Sequence, residues 1–305
     1  MTRVACLLAG LILTGCSPSE PATFRIVFGG DVMLDRGVAQ TIQRLGVDTI
    51  FHAITPELQR ADAAIANLEC VLTNRTQAVD KRFTFRGKPE WANALRQAGF
   101  THANLANNHS LDYGAAGLAD TRKHLEEHHI RAIGVHPCQP ELLTKGTDTV
   151  AVFAATPLAN VASDSTDRLQ LCERSMGVLA RTVSSYSTRH PNHVMLVTVH
   201  WGWEGQPKPE QQQVAQAHTL IDAGAQFVIG HGPHVRQPLE TYRHGTIVYS
   251  LGNLVFDGTT PETRIGNLAV LSRLHDRWGL ELQPVVMRKG IPVPLNKEVP
   301  GKGSG

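Results

Sequence analysis

The chain has 305 residues, 42% of them hydrophobic and 18% charged, a composition that suits a globular protein and excludes a disordered chain or a membrane-spanning bundle. A formal charge of +2 and the lack of any polybasic run argue against a nucleic-acid partner. The 15 histidines are a mild excess to which composition alone gives no role.

In chain order the first element is a leader. Arg3 precedes an apolar stretch from Val4 to Leu13, too short to span a bilayer, which Leu13-Thr14-Gly15-Cys16 closes. Small residues before a Cys resemble a bacterial lipobox, so residues 1–15 are expected to be a cleaved signal peptide and Cys16 a diacylated first residue. Ser17, in place of Asp, fits sorting to the outer membrane, facing the periplasm. Residues 16–23 then form a lipidated tether, 24–296 the folded domain and 297–305 a frayed tail. With Cys6 removed and Cys16 lipidated, Cys70, Cys138 and Cys172 remain. They permit at most one disulfide, whose pair the sequence does not choose, and burial as small apolar side chains is the expected fate.

Apolar, β-branched runs at 24–28, 63–66, 101–105, 194–199 and 227–229 alternate with helical patterns at 37–45, 89–98, 115–128, 174–187 and 208–223. That alternation predicts an α/β fold with βαβ units and a largely parallel sheet. From residue 246 on, runs at 246–250, 266–274 and 279–288 are joined by turns, which predicts antiparallel strands beside the parallel ones.

Ligands of open α/β sheets gather beyond the carboxyl ends of strands. Here five such ends carry Asp31, Glu69, Asn108, His200 and the pair His231 and His234. A lone strand-end Asp is more often a turn or helix cap, and a lone His more often an ordinary hydrogen-bonded residue. Six at equivalent places point to a divalent-metal site, and mixed oxygen and imidazole donors suit Mn, Fe or Zn.

The segments GGDVMLDR (29–36), ANLEC (66–70), ANNHSLDYG (106–114), HWGWEGQP (200–207), GAQFVIGHGPHVRQPLE (224–240) and YSLGNLVFD (249–257) resemble the CapA (PgsA) family of capsule and poly-γ-glutamate synthesis proteins, within the calcineurin-like metallophosphoesterases. The likeness spans about residues 24–260. It implies a four-layer α/β/β/α sandwich of metallophosphoesterase type with one or two ions at the sheet edge. Asp31, Glu69, Asn108, His200, His231 and His234 would be the ligands, and His109 the acid that protonates a leaving oxygen. Asp112, three residues on, either orients His109 or caps the next helix. Three departures stand out: Met33 replaces the His of Asp-x-His, Glu69 replaces Asp, and two residues rather than one separate His231 from His234. The first removes a ligand of one ion and leaves single-ion and two-ion sites both open.

Arg36 and the segment Lys81-Arg82-Phe83-Thr84-Phe85-Arg86 read either as a patch for phosphate or polyglutamate carboxylates, with Arg36, Arg82 and Arg86 as contacts, or as a solvated edge. Trp201, Trp203 and Glu204 follow His200 and read either as the wall of a pocket for a sugar or peptide chain, the expectation taken here, or as packing of the loop. Asn253 and Asp257 match family motif residues, although a turn role would account for both. Two functions follow as expectations. One is a metal-dependent hydrolase of the cell envelope acting on a phosphorylated small molecule or an anionic polymer. The other is a non-catalytic, polyanion-binding component that works with other polymer synthesis and export proteins.

Overall fold

The computed structural model describes residues 24–158, 170–172 and 174–295, so the leader, Cys16, the tether and the 297–305 tail lie outside the described residues. The first half builds β1 (Phe24–Val32), α1 (Arg36–Leu45), the short helices α2 (Asp48–Phe51) and α3 (Thr55–Gln59), and β2 (Ala63–Leu68). The two-residue strands β3 (Val71–Leu72) and β4 (Arg86–Gly87) follow, then α4 (Trp91–Ala98), β5 (His102–Asn104), α5 (Gly114–Glu127) and β6 (Arg131–Ile133). A second series consists of β7 (Glu141–Lys145), β8 (Asp148–Ala155), α6 (Met176–Arg189), β9 (Val194–His200), α7 (Gln211–Asp222), β10 (Phe227–His231), β11 (Leu239–Tyr242) and β12 (Gly245–Val248). The chain then returns to the first sheet through β13 (Asn253–Val255), β14 (Ile265–Leu274), β15 (Arg277–Arg288) and β16 (Ile291–Pro294).

One sheet runs β16-β15-β14-β1-β2-β5-β6 with β13 also paired to β1, and the other runs β11-β12-β10-β9-β8-β7. Strand periodicity explains how the two stack. In β1, Phe24, Ile26 and Phe28 face the other sheet while Val27 faces the helices. In β8, Val150 and Val152 turn inward while Ala151 and Phe153 pack beneath α6. The shared inner core of Phe24, Ile26, Phe28, Ile65, Leu196, Ile229 and Leu271 joins the sheets. Helices α1 to α5 cover one outer face and α6 and α7 the other. The result is the expected α/β/β/α sandwich. The expected antiparallel strands are also present, β14 pairing with β1 and β15 with β14. Strand β8 escaped the sequence pattern because both its faces are buried, leaving an unbroken apolar run with no alternation to read.

The cysteines differ from expectation. Cys138 and Cys172 form a disulfide with Cα atoms 5.3 Å apart. An isolated bridge between Val135 and Leu171 aligns the two segments, a long-range pairing that sequence spacing does not encode. Among the described residues only Cys70 is a free thiol; it is buried, and burial raises its pKa to about 12. The mature protein, unfolded without reductant, should therefore titrate one thiol, and three after reduction. Replacing Cys138 and Cys172 by Ser should lower unfolding stability by about 3–4 kcal/mol for a loop of this length, measured by denaturant titration. An unchanged midpoint would mean that the bridge does not form.

Candidate metal centre

Close backbone packing sets the first candidate donor, Asp31. The pairing of β1 with β2 shifts register between Phe28 and Asp31, where Gly29 and Gly30 stand. A Cβ on Gly30 would lie 2.1 Å from the Gly252 carbonyl oxygen, so only glycine lets β1 approach the loop before β13. The Asp31 amide then donates to that same carbonyl at 3.1 Å. Glu69 directly follows β2, its amide bonded to the Val32 carbonyl at 2.8 Å. His200 and His231 end β9 and β10 and are register partners. His234, three residues on, has a left-handed backbone at φ 58°, sparsely populated for a residue with a side chain and a common form of local strain at functional sites.

These residues converge from both sheets. His234 Nδ1 lies 3.1 Å from Asp31 Oδ2 and its Nε2 3.7 Å from Glu69 Oε1. His200 Nε2 is 3.7 Å from the same Glu69 oxygen, and His231 Nδ1 is 3.5 Å from Asp31 Oδ1. Asp31 and Glu69 are both 0% exposed. Yet both Glu69 oxygens, Asn108 Oδ1 and His231 Nδ1 are buried with no hydrogen-bond partner. A buried, unpaired carboxylate costs several kcal/mol, on the order of the desolvation of a charge. A divalent cation fits this set of orphaned oxygen and nitrogen donors, and the ligand atoms of Asp31, Glu69 and His234 all lie within 4.8 Å of one another.

The charges are mutually dependent. Burial drives the Glu69 pKa well above the usual carboxylate range. Burial alone would also raise Asp31, but the imidazoles of His231 and His234 hold it well below its ordinary value. Burial disfavours charge on His234 as well, yet Glu69 and Asp31 outweigh that and lift it to about 10. His200, with burial dominant, falls to about 3. Without a metal, the proton on His234 supplies positive charge that a cation would supply when bound.

A polar layer orients the donors. Asn67 Nδ2 donates to Asp31 Oδ1 at 2.8 Å and contacts His200 Nδ1 at 3.1 Å, while Asn67 Oδ1 accepts from Asn104. His231 Nε2 meets the Thr198 hydroxyl at 3.1 Å. His234 Nδ1 has Asn253 Oδ1 at 2.9 Å besides Asp31, two acceptors that keep the proton on Nδ1 and turn Nε2 toward Glu69. Asn253 therefore positions His234, where sequence offered a turn role as readily. Asn67 and Thr198 were missed, although Asn67 lies inside the quoted ANLEC segment. Met33 is wholly buried in the core, its sulfur accepting from the Asp35 amide at 3.0 Å.

His109 stands beside this set. Its Nε2 is 3.9 Å from Glu69 Oε1, its Nδ1 is 2.7 Å from Asp112 Oδ2, and its ring stacks on Phe85 with centroids 4.1 Å apart. Asp112 thus orients His109. It caps no helix, since α5 starts after Tyr113 without a side-chain cap. Lys81 donates to Asp112 at 2.8 Å and to the Asn108 carbonyl at 2.6 Å, which takes it out of the exposed patch and into the site.

The substrate candidates separate. Arg36 lies at the rim, paired with Asp257 at 3.0 Å and 5.7 Å from the centroid of Phe85. Exposed Arg82 stacks over Phe83. Arg86 does not join the site: it opens β4 and points to the Arg75 carbonyl and the Tyr113 ring, because strand pairing turns its side chain away. Trp201 is packed largely into the core beneath α6 and α7, its indole N–H bonded to the Tyr249 carbonyl at 2.9 Å, while Trp203 is exposed. Both do line a cavity of about 230 Å³ with Pro157, Glu210 and Gln213, but its lining includes none of the candidate metal-site residues. Glu204 is exposed, and its charge adds to the upward push on both Glu69 and His234.

Purified without chelator, the mature protein should carry Mn, Fe or Zn by elemental analysis, and Glu69→Ala should lose it. Retention by a folded Glu69→Ala protein would remove Glu69 from the ligand set. Asn253→Ala should weaken metal binding about 10–100-fold through loss of the His234 orientation, read by competition with a chelating dye.

The comparisons agree with this architecture. Over 284 residues, 89% of this chain and 73% of the relative, the chain is 29% identical to the PGA biosynthesis protein CapA of Bacillus subtilis. Over 291 residues, 91% of this chain and 70% of the relative, it is 34% identical to the capsule biosynthesis protein CapA of Bacillus anthracis. Among solved structures, a Staphylococcus aureus protein described as a 5'-nucleotidase aligns with a TM-score of 0.58 at 14% identity, over 92% of this chain. The NAD nucleotidase NadN of Haemophilus influenzae aligns at 0.51 and 10% identity, over 90% of this chain. The chain spans only 56% and 54% of those two structures, and at such identity they share its fold alone. A family model described as bacterial capsule synthesis protein PGA_cap matches residues 25–258, and the chain belongs to that family.

Proposed function

We propose that this protein is a cell-envelope lipoprotein of capsule or poly-γ-glutamate synthesis whose site is a divalent-metal-dependent hydrolase, acting on an anionic polymer or a phosphorylated small molecule. The carrying observation is the set of buried, partnerless donors on Glu69, Asn108 and His231 beside the orienting pair His109 and Asp112. Asp31, Glu69, Asn108, His200, His231 and His234 would hold one or two ions. A bound Mn, Fe or Zn ion supplies Lewis acidity and lowers the pKa of water.

The remaining chemistry belongs to the chain. Asp112 accepts from His109 Nδ1 and so directs Nε2 into the site. In the imidazolium form Nε2 carries the proton that passes to a departing oxygen, leaving the neutral ring with its other proton on Nδ1 toward Asp112. Burial lowers the His109 pKa despite Asp112, so this form is the stronger acid and is populated more as pH falls. Phe85 covers one face of the ring and excludes water there. Arg36 at the rim offers a guanidinium to an anionic substrate.

The disulfide supports an exported location, since such bonds persist in oxidising compartments, and the Leu13–Cys16 motif supports the lipid anchor. A second reading, a non-catalytic polyanion-binding subunit with a partial site, is favoured by the burial of Met33 where the fold's usual His would stand.

His109→Ala should keep its metal and lower kcat about 10²–10⁴-fold on a phosphoester substrate. Unchanged turnover would sink the role given to His109, and a wild type with metal but no hydrolysis would favour the second reading. Cys16→Ser should move the protein from the membrane to the soluble fraction, and a variant still bound to membrane would overturn the anchor.

A further inference from the structure

We propose that the cleft between α1 and the β15–β16 hairpin binds successive carboxylates of an extended acidic polymer, next to the metal centre. The proposal takes the polymer, rather than a small phosphorylated molecule, as the substrate in the reading above, and rests on that reading only for what the bound chain is used for.

The cleft is about 600 Å³ and is lined by Arg44, Arg264, Arg288 and Lys289, with Asp257 its one acid. Four cations against one carboxylate in a single cleft exceed the net charge of the whole chain, which is +2. Asp257 is already engaged by Arg36 at 3.0 Å and by the Gly37 amide at 3.4 Å. Arg44, Arg288 and Lys289 have no ion pair among the described residues. Glu262, near Arg264 in sequence, does not line the cleft.

The backbone that carries these charges is pinned. Arg288 pairs with Ile291, leaving Lys289 (φ 56°) and Gly290 (φ 81°) as a two-residue hairpin loop of the tight form that needs positive φ at both positions. The Thr41 hydroxyl donates to the Lys289 carbonyl at 3.0 Å and ties that loop to α1. The Arg264 guanidinium is held by the carbonyls of Gly258 at 3.0 Å and Thr259 at 3.4 Å. Like charges mounted together repel, and a polyanion relieves that repulsion.

The cleft borders the site through one ring. Phe256 lines it, and that ring lies 4.6 Å from the ring of His234. Arg36, paired to Asp257, stands on the ridge between the cleft and the Phe85–His109 stack. A single phosphate favours converging backbone amides at an enclosed turn. Solvent-exposed guanidinium and ammonium groups spread over three segments instead match charges repeated along a flexible chain.

The test is fluorescence anisotropy of a labelled γ-linked glutamate oligomer with the mature protein in detergent, at two salt concentrations. Wild type should bind, less tightly as salt rises. The triple variant Arg44→Glu, Arg288→Glu, Lys289→Glu should bind about tenfold or more weakly, with a flatter salt dependence and unchanged metal content and small-phosphoester turnover. Gln replacements at the same positions should give an intermediate loss, which separates charge from misfolding. Unchanged affinity in the variants overturns the cleft. Binding of polyphosphate but not of the glutamate oligomer overturns the polycarboxylate assignment. Loss of polymer binding on charge reversal in a protein that never hydrolyses substrate would keep the cleft and sink the hydrolase reading.

Discussion

The Glu69 carboxylate lies at the seam of two sheets, fully buried, with neither oxygen hydrogen-bonded. A buried anion is tolerated only if compensating charge is built around it. Three imidazole nitrogens, from His109, His200 and His234, lie 3.7–3.9 Å from Glu69 Oε1, and the lifted pKa of His234 is the direct response to that negative charge. Asn253 and Asp112 orient His234 and His109, whose Nε2 atoms face Glu69 Oε1 at 3.7 and 3.9 Å.

Two constraints shape the strand ends that meet at this seam. One is glycine at close backbone contacts within each sheet: Gly30 of β1 against the Gly252 carbonyl before β13, and Gly230 of β10 against the Tyr249 carbonyl after β12, where a Cβ would lie 2.0 Å from the oxygen. The other is polar bonding. Asn67 joins Asp31 of one sheet to His200 of the other, and within the second sheet the indole of Trp201 fixes the end of β9 to Tyr249.

Outside the seam, function is distributed by charge. The centre is built to compensate negative groups, whereas the cleft behind Phe256 carries cations in excess. The Arg36–Asp257 pair lies between the two and belongs to both. Family membership places the chain among capsule synthesis proteins. Fold alone does not choose the reaction, and the site residues carry that argument.

The alternation of apolar runs and helical patterns was enough to read an α/β fold with βαβ units, because half-buried strands and amphipathic helices write their periods into the chain, whereas the four layers were implied only by the family resemblance. The order Asp31, Glu69, Asn108, His200, His231 and His234 was equally legible, since strand ends are where such sheets gather ligands. What the sequence by itself left open was every pairing between distant segments. Whether Asp112 oriented His109 or capped a helix, and whether Lys81 faced solvent or Asp112, depended on how the loop before β4 folds back on the turn after β5. Arg86 carried the right chemistry for a binding site, yet strand pairing turned it away, and Trp201 lines a separate cavity beside α7 rather than the site. The Cys138–Cys172 bond and the basic cleft arise in the same way, from residues far apart in sequence that only tertiary packing brings side by side. Local periodicity encodes elements and their exposed ends; the direction of a single side chain is decided by its neighbours across the fold.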